Sequence, residues 1–263
     1  MAPPQRRRPQ LRTLSLLGGL LSLAALGAFA AGSSATTPSP PRMIVPAYFD
    51  PPGRLWTKAL TAPAPTILIA NPDNGPGPRA EAAYERMITH ARAGGHLLIG
   101  YVYTGSAARP IASVERDIGR WAQFYDIRDI FFDEVSQSAA QLSYYRTVTD
   151  YARSHGATVT VLNPGTVPAR GYFSLGAIVV TFEDTYAAYR HPGFPGWLRH
   201  VPAGEQANIV YAVPNTADAR ATLTAMHRHG VGVGYVTGAG QNSSNPYASL
   251  PSYYDSETDW LAR

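Results

Sequence analysis

The feature that most constrains this chain is a repeating alternation. Short apolar, β-branched runs are separated by longer segments whose apolar residues recur at helical spacing. A strand buried on both faces reads as a continuous apolar run, and strands that alternate with helices pair in parallel. Eight such runs follow Arg42: 43–48, 66–70, 97–103, 130–133, 157–162, 177–182, 208–212 and 231–236. Helices are expected over 79–94, closing at Gly94-Gly95, and over 111–125 and 139–155. Another is expected over 216–229, opening at an Asn215/Thr216 cap and closing at Gly230. The connections 50–65 and 184–206 are rich in Pro and Gly and read as loops with short helices. Eight strand–helix repeats in about 220 residues is the count of an α/β (β/α)8 TIM barrel forming a single domain. A doubly wound open sheet is the second reading, because one misplaced strand would open the ring.

The chain begins differently. Arg6, Arg7, Arg8 and Arg12 precede an apolar stretch from Leu14 to Ala30 that ends in Ala28-Phe29-Ala30. This is the layout of a secretory signal peptide, with cleavage expected near Ala30 and a secreted, extracellular product. The stretch is broken by Gly18, Gly19, Ser22 and Gly27, so stable membrane insertion is not expected. Residues 31–42 are small, polar and Pro-rich and read as a linker, which leaves 43–263 as the folded domain. Four of the 22 Lys+Arg and none of the 18 Asp+Glu lie in residues 1–30, so the remainder is formally neutral. That balance removes the clustered positive charge of a nucleic-acid binder. The absence of cysteine removes disulfides, thiolate metal sites and a cysteine nucleophile.

In a barrel, catalytic groups stand at the C-terminal ends of the strands. The residues there are Tyr48 and Asp50 after the first run, Asn71 after the second and Tyr101, Tyr103 and Thr104 at the third. Asp133 and Glu134 close the fourth, Asn163 follows the fifth, Glu183 and Asp184 the sixth, and Tyr211 and Tyr235 lie at the seventh and eighth. Two carboxylates converging on one cleft are the minimum equipment for glycosidic cleavage: one protonates the leaving oxygen, the other attacks the anomeric carbon or activates water. Asp133 and Glu134 are adjacent, so in a regular strand they point to opposite sides. The plainer account of these acids is that they cap helices or pair with Arg128, Arg146 or Arg170. Tyrosines at strand ends offer flat faces with a polar tip, which suits a wet carbohydrate cleft and suits a core edge nearly as well.

Other motifs fail on chemistry. Gly75-Pro76-Gly77-Pro78-Arg79-Ala80 has the spacing of a dinucleotide loop, but its prolines remove N–H groups that would cradle a pyrophosphate. His227 and His229 lie two apart on an expected helix, on different faces, and there is no H-E-x-x-H or G-x-S-x-G.

One combination is more specific. Val45-Pro46-x-Tyr48, Asn71-Pro72-x-x-Gly75-Pro76-Gly77, Gly100-Tyr101-Val102-x-Thr104, Ile130-Phe131-Phe132-Asp133-Glu134, Asn163-Pro164-Gly165 and Phe182-Glu183 together resemble the spherulin-4-like (spherulation-specific family 4) proteins. The resemblance implies a (β/α)8 glycoside hydrolase acting on α-1,4-linked galactosamine or N-acetylgalactosamine polymers. It implies that Asp133 and Glu134 match the family's Asp-Glu pair and Glu183 its further acid, with Tyr48, Asn71, Tyr101 and Asn163 lining the cleft. On this reading Asp133 is nucleophile or general base, Glu183 is general acid and Glu134 supports them. The substrate-binding set is Tyr48, Asp50, Asn71, Tyr101, Tyr103, Asn163, Tyr211 and Tyr235. A polysaccharide is the expected partner, with no metal or organic cofactor, and the chain is expected to act as a monomer. Two other classes remain open: a carbohydrate-binding or spore-surface protein without catalysis, and a polysaccharide deacetylase, which needs a metal site.

Overall fold

The structure, a computed structural model, describes residues 43–63, 65–240 and 245–261. The expected signal peptide and linker lie outside the described residues. All eight expected strands are present: β1 Ile44–Ala47, β2 Ile67–Ala70, β3 Leu97–Tyr103, β4 Ile130–Asp133, β5 Thr160–Leu162, β6 Ile178–Thr185, β7 Gln206–Tyr211 and β8 Val233–Val236. They pair in parallel in sequence order. A single parallel bridge between Met43 and Gly234 joins the last strand to the first. The sheet is thus a nearly closed barrel, and the open doubly wound alternative falls away.

The helices are α1 Arg54–Ala59, α2 Ala82–Ala93, α3 Ile111–Tyr125, α4 Leu142–Ser154, α5 Tyr186–Tyr189, α6 Thr216–Arg228 and α7 Tyr254–Leu261. Asn215 caps α6 through its side chain, which accepts the Asp218 N–H at 2.9 Å. Gly95, at φ +78°, makes the left-handed exit from α2. The stretch 139–141 is a 3-10 turn, so α4 starts three residues later than its periodicity suggests.

Strand interiors are almost wholly buried because the α-layer covers the outside and side chains fill the inside. Gly100 shows how closely the layers meet. A Cβ at this position in β3 would sit 2.4 Å from the Trp121 ring of α3, whose indole N–H donates to the Tyr101 carbonyl at 2.8 Å.

Several strands depart from their expected limits. β5 starts at Thr160 rather than Ala157, because the Asp129 carboxylate takes the N–H groups of Thr158 and Val159, at 2.7 and 2.6 Å. β6 runs on to Thr185, so Glu183 and Asp184 belong to the strand rather than to the loop after it. A register shift between Val180 and Phe182 marks a bulge at Thr181, two residues before Glu183. β7 opens two residues early, at Gln206. Its buried Gln206 donates to the carbonyls of Leu198, Val201 and Gly230, and Asn208 bonds Thr181 and Tyr189. These bonds anchor the irregular connection between α5 and β7.

Candidate active site

The C-terminal ends of β3, β4, β5 and β6 bring Tyr101, Asp133, Asn163 and Glu183 into one hydrogen-bonded cluster. Asn163 stands at its centre. Its amide nitrogen donates to Asp133 Oδ1 at 2.8 Å and to Glu183 Oε2 at 2.5 Å. One nitrogen reaching both acids holds their facing oxygens within about 5 Å of each other, inside the separations used in glycosidic cleavage. The orientation of the amide is set from behind, because Asn163 Oδ1 accepts the Gly165 N–H at 3.0 Å. Gly165 needs its φ of +67° to turn there, and its carbonyl accepts the Glu183 N–H at 2.8 Å. The Asn-Pro-Gly turn after β5 therefore fixes both the bridging amide and the backbone of the second acid.

Each acid has a tyrosine on its outer oxygen. The Tyr101 hydroxyl donates to Asp133 Oδ2 at 2.7 Å, and the Tyr247 hydroxyl lies 2.5 Å from Glu183 Oε1. Tyr48 stands between the two tyrosines and meets each ring edge-on with centroids 5.7 Å apart. Its phenol is pushed well above its ordinary pKa, by burial first and by the two carboxylates next.

Burial raises the pKa of Asp133, opposed by bonds from Tyr101, the Glu134 backbone and Asn163. Burial also raises that of Glu183, and the charge of Asp133 adds to the rise against bonds from Tyr247 and Asn163. Asp133 accepts more donors and Glu183 carries the like-charge penalty. The arrangement favours an ionised Asp133 beside a protonated Glu183. Among the described residues no arginine forms an ion pair with either acid. Arg128 pairs with Asp126, and Arg170 lies over the Trp197 ring. The plainer account by helix capping or arginine pairing does not describe these two acids.

The adjacent Asp133 and Glu134 avoid the strand alternation because β4 ends between them. Glu134 takes φ +48°, a left-handed conformation costly for a side-chain-bearing residue, and is exposed. The corner is held by the buried Thr104, whose hydroxyl lies 2.7 Å from the Asp133 carbonyl and 2.9 Å from that of Glu134. The Ser106 N–H adds a bond to the Glu134 carbonyl at 2.7 Å.

The remaining expected residues divide. Tyr211, half-buried at the end of β7, donates to Asp184 Oδ1 at 3.3 Å. Asn71 is half-buried, and its Oδ1 accepts the Gly75 N–H at 2.9 Å, which shapes the glycine–proline loop. Asp50 is exposed. Tyr103 lines a separate polar cleft of about 420 Å³ with that loop, Arg109, Asp117 and Arg120. Tyr235 must be corrected: its side chain is fully buried, because its position in β8 turns the ring into the core instead of the mouth. Tyr247 was missed by sequence reasoning. It lies in the irregular segment between β8 and α7, where strand-end position gives no signal. Its only local mark is an Asx turn in which Asn245 Oδ1 accepts the Tyr247 N–H at 2.8 Å.

The model of spherulation-specific family 4 matches residues 42–261, nearly the whole described fold. The chain belongs to this family. Spherulin-4 of Physarum polycephalum is 30% identical over 240 residues, which cover 85% of this chain and 71% of that protein. Among solved structures, Aspergillus clavatus Sph3 in complex with GalNAc is 27% identical, with a TM-score of 0.72, covering 85% of this chain and 98% of that one. Active domain 2 of a Pyrococcus furiosus chitinase, determined as catalytic-site mutants with chito-oligosaccharides, has a TM-score of 0.50. It is 11% identical, covers 86% of this chain and 96% of that one, and shows likeness of fold alone. The Asp133-Glu134 corner and the Asn163 bridge both lie within the residues matched by the model of spherulation-specific family 4.

Proposed function

We propose that this protein is a secreted glycoside hydrolase that cleaves an α-1,4-linked polymer containing galactosamine and N-acetylgalactosamine. The observation that carries this reading is the pair of half-buried carboxyls joined through one amide nitrogen at the barrel mouth. Sph3, the structural relative holding GalNAc, supports an amino sugar as the unit recognised. The N-terminal arginines, apolar stretch and Ala-Phe-Ala triplet support export.

The chemistry follows from the two environments. Glu183 gives its proton to the glycosidic oxygen as the C–O bond breaks. Asp133 attacks the anomeric carbon, and its three donors spread the charge it holds before attack. Water then opens the glycosyl ester, giving one proton to Glu183 and regenerating both groups. The close approach of the carboxyls supports this two-step, retaining route, since inverting enzymes hold theirs about 6.5–9.5 Å apart to admit water. Glu134, exposed beside Asp133, supplies a negative charge for a free amino group of the sugar.

Reducing-end release from partly deacetylated α-1,4-galactosaminogalactan tests the proposal. Wild type should release ends, and Asp133→Asn and Glu183→Gln should each lower the rate by about a hundredfold or more. A wild type that binds the polymer and releases nothing overturns hydrolysis and supports a carbohydrate-binding role.

A further inference from the structure

The hydrogen bonds around Glu183 locate its proton. Asn163 Oδ1 is occupied by the Gly165 N–H, so the amide nitrogen is the group that faces both acids. An amide nitrogen donates and does not accept. An oxygen bonded to it cannot direct a proton of its own there, so a proton on Asp133 Oδ1 or Glu183 Oε2 would find no acceptor among the hydrogen bonds of the cluster. The outer oxygens remain, Asp133 Oδ2 facing Tyr101 and Glu183 Oε1 facing Tyr247. A phenol hydroxyl can accept or donate, so either oxygen can be protonated against its tyrosine. Asp133 also accepts from the Glu134 backbone, whereas Glu183 lies beside a like charge. The proton of the pair therefore belongs on Glu183 Oε1.

We propose that Tyr247 is a positioning residue for the acid step, holding the Glu183 proton on Oε1 and turning to donate once that proton has left. This inference rests on the reading of Asp133 and Glu183 as a hydrolytic pair. Before transfer, Glu183 Oε1–H donates to the Tyr247 oxygen. During transfer the Oε1–H bond breaks, an O–H bond forms to the leaving glycosidic oxygen, and the electron pair stays on the Glu183 carboxylate. The Tyr247 hydroxyl then rotates and donates to that carboxylate. Only one hydrogen moves about the phenol C–O bond, so both protonation states keep a partner without moving the ring. The ring is 7% exposed, stands edge-on to Tyr48 and is placed by the Asn245 turn, which suits a fixed group.

Tyr247→Phe keeps the ring and removes only the oxygen. Hydrogen bonds to charged groups contribute about 1.5–3 kcal/mol, which converts to a fall in kcat of about ten- to a hundredfold, with KM nearly unchanged. The lost donor stabilised the Glu183 anion, so the alkaline limb of the pH–rate profile should move to higher pH. Carboxyl carbon NMR of Glu183 in the folded wild type and variant should show the same upward movement without any turnover. A folded variant whose Glu183 titration and alkaline limb both stay in place overturns the proposal and leaves Tyr247 as packing. A wild type without hydrolysis whose Glu183 titration still moves in the variant upholds the proton's placement and overturns the hydrolase reading instead.

Discussion

At the residue scale, the cluster is a place where the fold gives up stability. Asp133 and Glu183 both have raised pKa values, with burial the first cause for each. A carboxyl whose folded pKa exceeds its unfolded value favours folding fully below the unfolded pKa. That contribution is lost as pH rises through the folded value. At neutral pH the protein therefore bears the cost of two neighbouring acids, and neutralising one should relieve it. Glu183→Gln is expected to melt a few degrees above wild type at pH 7, while losing hydrolysis. The advantage should shrink as pH falls towards the ordinary carboxylate range and vanish below it, which differential scanning calorimetry across pH would read. A variant less stable than wild type at pH 7 would contradict the charge argument. The acids themselves were legible in the sequence, since a carboxylate abutting Ile-Phe-Phe has few reasons to stand there. Tyr247 was not, because it reaches Glu183 from 64 residues away, out of an irregular segment.

At the scale of elements, the barrel's weak point is the join between β8 and β1, where the pairing seen among the described residues is the isolated Met43–Gly234 bridge. The C-terminal helix compensates for it. α7 ties to α1 through the Tyr254 hydroxyl on the Ala59 carbonyl at 3.0 Å and an ion pair between Lys58 and Asp255. It ties to β8 through Glu257, fully buried, whose Oε1 accepts the Val236 N–H at 2.7 Å. Burial drives its pKa well above the ordinary value, which favours the neutral carboxyl. Glu257→Ala would leave that N–H buried without a partner, a loss of about 1–3 kcal/mol, and should lower Tm by about 3–10 °C. Glu257→Gln keeps the acceptor and should melt at or above wild type at pH 7, the reverse order excluding this role. Periodicity revealed the eight strands because buried parallel strands are apolar on both faces. It missed α7, which buries an acid among tyrosines, and the start of β7, whose Gln206 reads as loop until its partners are known.

At the scale of the whole molecule, every tie described above lies between Met43 and Leu261, and none uses a sulfur bridge. The apolar core contains residues of all eight strands and of the helices α1 to α7. A domain of about 220 residues buries roughly 70% of its unfolded surface, enough to hold itself by packing. The family match likewise begins at residue 42. A variant lacking residues 1–42 should therefore fold to the same barrel, melt in one cooperative step at the full chain's Tm, and retain its rate on the polymer. Reductant should change neither quantity, because the chain contains no cysteine to reduce. Calorimetry and reducing-end assays on the two chains, each with and without dithiothreitol, decide the matter. A lower Tm in the shortened chain would mean that residues before Met43 pack on the barrel. An unchanged Tm with lost hydrolysis would instead place those residues in substrate capture. Equal Tm and equal rate would make the barrel alone sufficient for both folding and hydrolysis.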